Sequence, residues 1–315
     1  MKTKELAVIG LGGVGGYFGF KLAQKYFNNG QVNISFVART ETFETVKQNG
    51  LTLLSAEHEN AVAKPDHLYQ HINEIGHADV FLIGVKEYDL EAICQQLKSK
   101  VTEDTILLPL MNGVDIYERI RKIIPNGIIL PSCVYVASHI KEKGIVEHKG
   151  IPGKIITGND PLHTEYSAVE LINILKDAGI DITYKTNALS DIWTKFFFIA
   201  AFGLVTARYN QSIGQVNENA LLQERARLIM REIETISKAK GIIISDTIIE
   251  DTFKKAASFP YQTPTSLQLD IQSGKKNTEL ELFAGAIIDY GRQLAIPVTE
   301  TEKIYNEIKK GFISV

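Results

Sequence analysis

Cysteine is scarce in this 315-residue chain, which carries only Cys94 and Cys133. Neither belongs to a CxxC pair or has a clustered histidine partner, so a zinc-ligand pattern and a disulfide framework are both excluded. A structural disulfide would also be foreign to a reducing compartment. Charge of one sign is lacking as well. The formal net charge is -3, so no broad basic field draws nucleic acid or anionic lipid. Long hydrophobic runs are missing: the longest, Phe196 to Ala207, falls short of the roughly 18 residues of a membrane span and reads as a buried helix. Residues Met1 to Glu5 run straight into a strand and a glycine loop, unlike a signal peptide. Without a secretion signal, the Asn210-Gln211-Ser212 sequon carries no weight. No internal repeat or low-complexity tract occurs. These absences leave a cytoplasmic globular protein with no metal, nucleic-acid or membrane partner as the expectation. The 44% hydrophobic and 23% charged content is ordinary for such a protein. The length suits about two domains of roughly 150 residues, each able to bury a core.

The first half alternates short β-branched runs with helical segments, the pattern of a parallel sheet with crossover helices. Leu6 to Ile9 reads as a strand, Val14 to Phe27 as a helix and Val32 to Val37 as a strand. Asp79 to Val85 has the continuous apolar run of a strand buried on both faces, and Thr105 to Leu110 and Gly127 to Val136 follow. A strand at Ile155 to Thr157, a helix from Glu165 to Ala178 and a strand from Ile180 to Tyr184 complete this half. Helical spacing then takes over in Ala220 to Ala239, Ser266 to Gln272, Glu279 to Leu294 and Glu300 to Phe312. The expected fold is α/β: a Rossmann-type doubly wound parallel sheet over residues 1–186, followed by an all-helical domain over 187–315.

Gly10-Leu11-Gly12-Gly13-Val14-Gly15 is a GxGxxG directly after a strand and opening a helix, the context that a dinucleotide fingerprint requires. Gly10 permits the tight turn, Gly12 lets the backbone approach a pyrophosphate and Gly15 lets helix and strand pack closely. The helix amino terminus offers unpaired N–H donors and a positive dipole end to the phosphates. The end of the second strand separates the two nicotinamide dinucleotides. A free ribose 2′-hydroxyl calls for Asp or Glu there. This chain has Val37-Ala38-Arg39-Thr40, and the planar, permanently charged fork of Arg39 suits a 2′-phosphate. NADPH/NADP+ is the expected cofactor, with Glu41 facing away.

Ligands of open α/β sheets lie beyond the carboxyl ends of the strands, near the switch in strand order. Two strands end there in polar residues: Gly84-Val85 precedes Lys86, and Leu110-Met111 precedes Asn112-Gly113. In the second half, Trp193-Thr194-Lys195-Phe196-Phe197-Phe198 sets a lysine among aromatics. Such a lysine either snorkels out or is desolvated, and desolvation lowers its pKa toward proton donation near neutrality. Thr278-Glu279 opens a helix after the turn Gly274 to Asn277. An acidic residue in a first turn is also simply good helix electrostatics.

Taken in order, these marks resemble the ketopantoate reductase (2-dehydropantoate 2-reductase) family over essentially the whole chain. They are GLGGVGG, Arg39, Val85-Lys86, Asn112-Gly113, the W-x-K of Trp193 to Lys195, Ser266 ahead of Asp270-Ile271, and Thr278-Glu279. The resemblance implies NADPH-dependent reduction of a 2-oxo acid to the 2-hydroxy acid, ketopantoate to pantoate in pantothenate biosynthesis. It implies Lys195 as general acid, and Glu279 as substrate ligand and holder of Lys195. Ser266 would be the carboxylate ligand, with Lys86 and Asn112 beside the nicotinamide and substrate. The apolar surface of the helical domain is compatible with a homodimer, although nothing in the sequence fixes the oligomeric state.

The chain departs from the family pattern at three positions. Ile199, Gly203 and Ile213 stand where the family usually has asparagine. A site built to bond a hydroxyl discriminates strongly and an apolar one weakly. A less polar branched 2-oxo acid is therefore the alternative substrate, with Thr206 and Asn210 as replacement polar contacts. An alternative of another class is a non-catalytic NADPH-binding sensor, against which the presence of both Lys195 and Glu279 speaks.

Overall fold

The structure, a computed structural model, describes residues 3–57 and 61–313; Met1, Lys2 and the last two positions of the expected 187–315 domain lie outside the described residues. The chain divides into two compact units. One ends at Ala188 and the other comprises Leu189 onward together with Gly113–Asp115.

In the first unit, strands and helices alternate as β1 (Lys4–Ile9), α1 (Gly13–Tyr26), β2 (Val32–Val37), α2 (Thr40–Asn49), β3 (Leu51–Leu54), β4 (Ala61–Ala63), β5 (His67–Tyr69), β6 (Val80–Ile83), α3 (Glu87–Leu97), β7 (Ile106–Pro109), α4 (Ile116–Ile123) and β8 (Ile128–Ile129). β9 (Ser132–Tyr135), β10 (Ser138–Glu142), β11 (Ile145–His148), β12 (Lys154–Gly158), α5 (Val169–Asp177) and β13 (Asp181–Lys185) complete it. Six strands form an all-parallel sheet in the order β5-β2-β1-β6-β7-β8. β1 is the switch point, because consecutive strands depart from it in opposite directions. All four residues of β6 and of β7 are buried, which explains their unbroken apolar character. Ile9 pairs with Val37 on one side and Ile83 on the other, and Ile83 pairs with Pro109. The carboxyl ends of β1, β2, β6 and β7 therefore share one edge. The segments after them, starting at Gly10, Ala38, Gly84 and Leu110, all leave from it.

The stretch expected as a single strand from Gly127 to Val136 is two. β8 closes the parallel sheet, whereas β9 leaves it to pair antiparallel with β12 in a second sheet, β13-β12-β9. Pro131 makes the break, since it has no N–H for a ladder. Its carbonyl instead accepts from Gly158 N and Thr157 Oγ1, both at 3.0 Å. Fully buried Asp160 clamps the same crossing. It accepts from Tyr117 Oη (2.7 Å), Arg121 Nη2 (2.5 Å) and the backbone amides of Ile129 (2.8 Å) and Leu162 (2.9 Å). A third sheet, β10-β11-β3-β4, was not anticipated from the short, half-exposed segments that compose it. The expected helix from Glu165 begins only at Val169.

Helices build the second unit: α6 (Leu189–Tyr209), α7 (Ile213–Glu218), α8 (Ala220–Ala239), α9 (Ile248–Ala257), α10 (Ser266–Gln272), α11 (Ala286–Leu294) and α12 (Thr299–Ile313). α6 is apolar on nearly all sides because it is the central helix, and 67% of its most apolar window is buried. Among the described residues it is the one helix long and apolar enough to cross a membrane, and its burial marks it as a core helix. Phe198 stacks on Phe202 and Phe259, and Phe202 meets Phe253 edge-on. Capping boxes start α7 (Ser212 with Gln215) and α10 (Thr265 with Gln268). The expected helix from Glu279 to Leu294 is instead composite: a π-helical turn at Glu281–Gly285 precedes α11. Gly285 leaves room there for the Glu281 carboxylate, which Tyr305 Oη (2.7 Å) and Lys309 Nζ (3.2 Å) hold from α12.

Candidate active site

The glycine loop follows β1 at the switch point. Gly10 has φ +88°, which L side chains rarely adopt, and a Cβ there would sit 2.8 Å from Val85 Cγ1. A side chain on Gly15 would overlap the Gly10 carbonyl oxygen, and one on Gly13 the carbonyl of Ser138 in β10. Gly84, after β6, lies so close to Gly15 that its Cβ would come within 2.7 Å of Gly15 Cα. The loop and α1 are thus wedged between β6 and β10, which is why these positions are glycine. Gly12 differs. A Cβ on it would meet only Gly84 O, at 3.8 Å. Among the described residues nothing in the packing requires glycine at that position, which leaves the backbone open to the approach of a ligand. Gly12 is also the N-cap of α1 and supplies no side-chain acceptor, leaving first-turn amides available to an anion. Leu11 is buried and Val14 half-buried, so their side chains belong to the core. Ser138 Oγ, beside Gly13, is buried without a hydrogen-bond partner among the described residues. Together, an unfilled space over Gly12, an amide-rich helix end and an orphan hydroxyl fit a dinucleotide pyrophosphate.

Arg39 is the N-cap of α2 and two-thirds exposed. Its Nη2 lies 2.7 Å from Asp89 Oδ2, in the first turn of α3. β2 and β6 flank β1, so the segments that follow them bring these residues together across 50 positions of sequence. Thr40, next to Arg39, has φ +49°, costly for a β-branched residue and typical of functionally constrained backbone. Glu41 is exposed, 4.0 Å from Lys143 Nζ. Lys86 is the exposed N-cap of α3, and Asn112 is half-buried beyond β7.

In the second unit, Lys195 and Glu279 are both buried, at 8% and 6% exposure. Lys195 is flanked on α6 by buried Trp193, Phe196 and Phe197, and the Trp193 ring stacks on Tyr290 at 5.9 Å. Phe196 meets Phe283 of the π-helical turn at 6.4 Å between ring centres. Glu279 is tied to that turn, its carbonyl accepting from Phe283 N at 3.3 Å. Phe196, next to Lys195 in sequence, and Phe283, four residues after Glu279, are thus packed on each other. Ser266 is the exposed first residue of α10.

The departures from asparagine follow the packing. Gly203 faces the Phe283 ring, whose Cδ2 and Cε2 would lie 3.6 Å from a Cβ there. Ile213 is buried as the first residue of α7. Thr206 and Asn210 are occupied structurally. Thr206 Oγ1 is 2.6 Å from Thr265 Oγ1 and bonds the Phe202 carbonyl at 2.7 Å, while Asn210 Oδ1 accepts from Gln268 and Gln272. They fasten α10 to α6. Asp89 and Ser138 escaped the sequence reading, and Gly84 was read only as the end of a strand. Asp89 looks like ordinary first-turn helix electrostatics, and Ser138 belongs to no recognisable motif.

Comparison with known proteins agrees with this arrangement. The ketopantoate reductase PanE/ApbA family matches residues 6–161, and its C-terminal domain matches 187–311. An uncharacterized oxidoreductase of Bacillus subtilis is 25% identical over 309 residues, 97% of this chain and 98% of that protein. A PanE/ApbA family ketopantoate reductase from Ralstonia eutropha has the same fold, with a TM-score of 0.85, 21% identity and 98% of each chain covered. So does a D-mandelate dehydrogenase solved with NADH and anilino(oxo)acetate, with a TM-score of 0.84, 18% identity and coverage of 98% and 99%. The chain belongs to the ketopantoate reductase PanE/ApbA family and is an oxidoreductase acting on a CH–OH group with a nicotinamide cofactor.

Proposed function

We propose that this protein reduces the ketone of a 2-oxo acid to the 2-hydroxy acid with NADPH, 2-dehydropantoate being the leading substrate. The observation that carries the reading is the shared burial of Lys195 and Glu279 around the Phe196–Phe283 contact. Burying a lysine and a glutamate is expensive unless they serve each other or a ligand, and a packed helical core has no structural need of them. The cofactor, when bound, supplies the hydride. Lys195 supplies the proton to the alkoxide oxygen, its helix-fixed position making it a general acid. Glu279 orients the Lys195 ammonium and accepts from the substrate, Ser266 binds the substrate carboxylate, and Lys86 and Asn112 contribute polar contacts to cofactor and substrate. Gly10 to Gly15 cradle the pyrophosphate, and Arg39 receives the 2′-phosphate.

A second reading concerns the acyl side of the substrate. Gly203 against Phe283, with Ile199 and Ile213 in place of asparagine, supports a less polar branched or aromatic 2-oxo acid. The related D-mandelate dehydrogenase fold was solved with an aromatic 2-oxo ligand. Cofactor oxidation measured across ketopantoate, 2-oxoisovalerate and phenylglyoxylate separates the two. A kcat/KM for ketopantoate more than about 10³-fold above the others refutes the apolar alternative. No turnover with any of the panel refutes the 2-oxo-acid reading.

A further inference from the structure

The guanidinium assigned to the 2′-phosphate is already engaged by a carboxylate, at 2.7 Å. Dinucleotide sites ordinarily carry one sign at the ribose: an acid for the 2′-hydroxyl, or an arginine for the 2′-phosphate. Here both signs occupy the same edge of the sheet, from the segments after β2 and β6. Asp89 is the less exposed partner, 28% against 67% for Arg39, and it sits in the first turn of α3.

We infer that Asp89 is a cofactor-specificity residue that limits the preference for NADPH over NADH. The inference rests on the assignment of Arg39 to the 2′-phosphate. In the absence of that phosphate the Asp89 carboxylate satisfies Arg39. A dianionic 2′-phosphate has to displace the carboxylate or share the guanidinium with it, and in either case two anions are brought within a few ångströms. NADH imposes no such exchange, since a ribose 2′-hydroxyl can donate to the carboxylate while Arg39 stays paired. Selectivity is then the difference between a phosphate–guanidinium bond and the ion pair it replaces, smaller than an unopposed arginine would provide.

The test is direct binding, by quenching of intrinsic fluorescence or by calorimetry, of NADPH and NADH to the full chain and to its Asp89→Asn and Arg39→Ala variants. Asp89→Asn should raise the ratio of NADPH to NADH affinity by about three- to tenfold at low ionic strength, and the gain should shrink as salt screens it. Arg39→Ala should lower the same ratio. If Arg39→Ala lowers the ratio and Asp89→Asn leaves it unchanged or lowers it, the role of Asp89 is refuted while that of Arg39 stands. If Arg39→Ala leaves the ratio unchanged, the 2′-phosphate assignment itself fails. Thermal unfolding of both variants without cofactor detects any loss of fold; since the pair is exposed, melting within a few degrees of wild type is expected.

Discussion

The glycine loop can be dissected residue by residue, because its glycines are there for different reasons. A methyl on Gly15 would be driven into the Gly10 carbonyl and toward Gly84, so α1 must move away from β1 and β6. Overpacking of this kind costs roughly 1–3 kcal/mol, and the contact here is to backbone on two sides, which places Gly15→Ala near the top, at about 3 kcal/mol. At 2–4 °C per kcal/mol for a unit of this size, the melting temperature should fall by about 6–12 °C. Gly12→Ala meets nothing closer than 3.8 Å, and its φ of -70° and ψ of -170° suit alanine. Its restriction of the unfolded chain should raise stability by about 0.4–1 kcal/mol. The same methyl stands where a pyrophosphate meets the backbone. Losing two charge-assisted hydrogen bonds, each worth about 1.5–3 kcal/mol, weakens cofactor binding by about 100-fold or more. Thermal melts without cofactor and fluorescence titration with it measure the two effects separately. The reasoning is refuted if Gly12→Ala melts as early as Gly15→Ala, or if it binds NADPH as the wild type does.

Two further outcomes follow from the second unit and from the β8–β9 crossing. Lys195→Ala should lower kcat by about 10²–10⁴-fold while NADPH affinity in titration stays within a few-fold of wild type; full turnover would remove the lysine from the chemistry, and a wild-type protein without turnover would point to a sensor. Burial by itself would raise the Asp160 carboxyl, but the Ile129 and Leu162 amides, the Tyr117 hydroxyl and His163 hold it below the usual carboxylate value. Its stabilisation is complete above the unfolded pKa of about 3.9 and is lost as pH falls through the lower folded value. Asp160→Asn should accordingly cost about 3 kcal/mol at neutral pH in denaturant melts, with a shallower loss of stability below pH ~4 than the wild type; equal acid profiles would contradict this.

The reductase scaffold was legible where its signal is local. An apolar run buried on both faces reads as a parallel strand, a GxGxxG between strand and helix reads as a phosphate-binding turn, and the apolar run of α6 reads as a core helix. Lys195 and Glu279 were picked out as ionisable residues in apolar or helix-opening contexts, whereas their burial and the packing of Phe196 on Phe283 are decided by the tertiary structure. The carboxylate partner of Arg39 was not legible. It comes from a helix 50 residues downstream and depends on β2 and β6 flanking the same strand. Equally, Thr206 and Asn210 look like pocket-lining substitutes in sequence, yet they are consumed in fastening α10 to α6.

By itself, then, the amino-acid sequence determined the alternation of strands and helices, the place of the phosphate-binding loop and the switch to a helical second unit, since each follows from side-chain periodicity and backbone freedom over a few residues. Tertiary structure alone decided which glycines are demanded by packing and which one is not, where the 127–136 stretch divides between two sheets, and which charge faces Arg39. Those outcomes depend on contacts between segments far apart in the chain, and no local pattern encodes the distance between two side chains that only a sheet brings together.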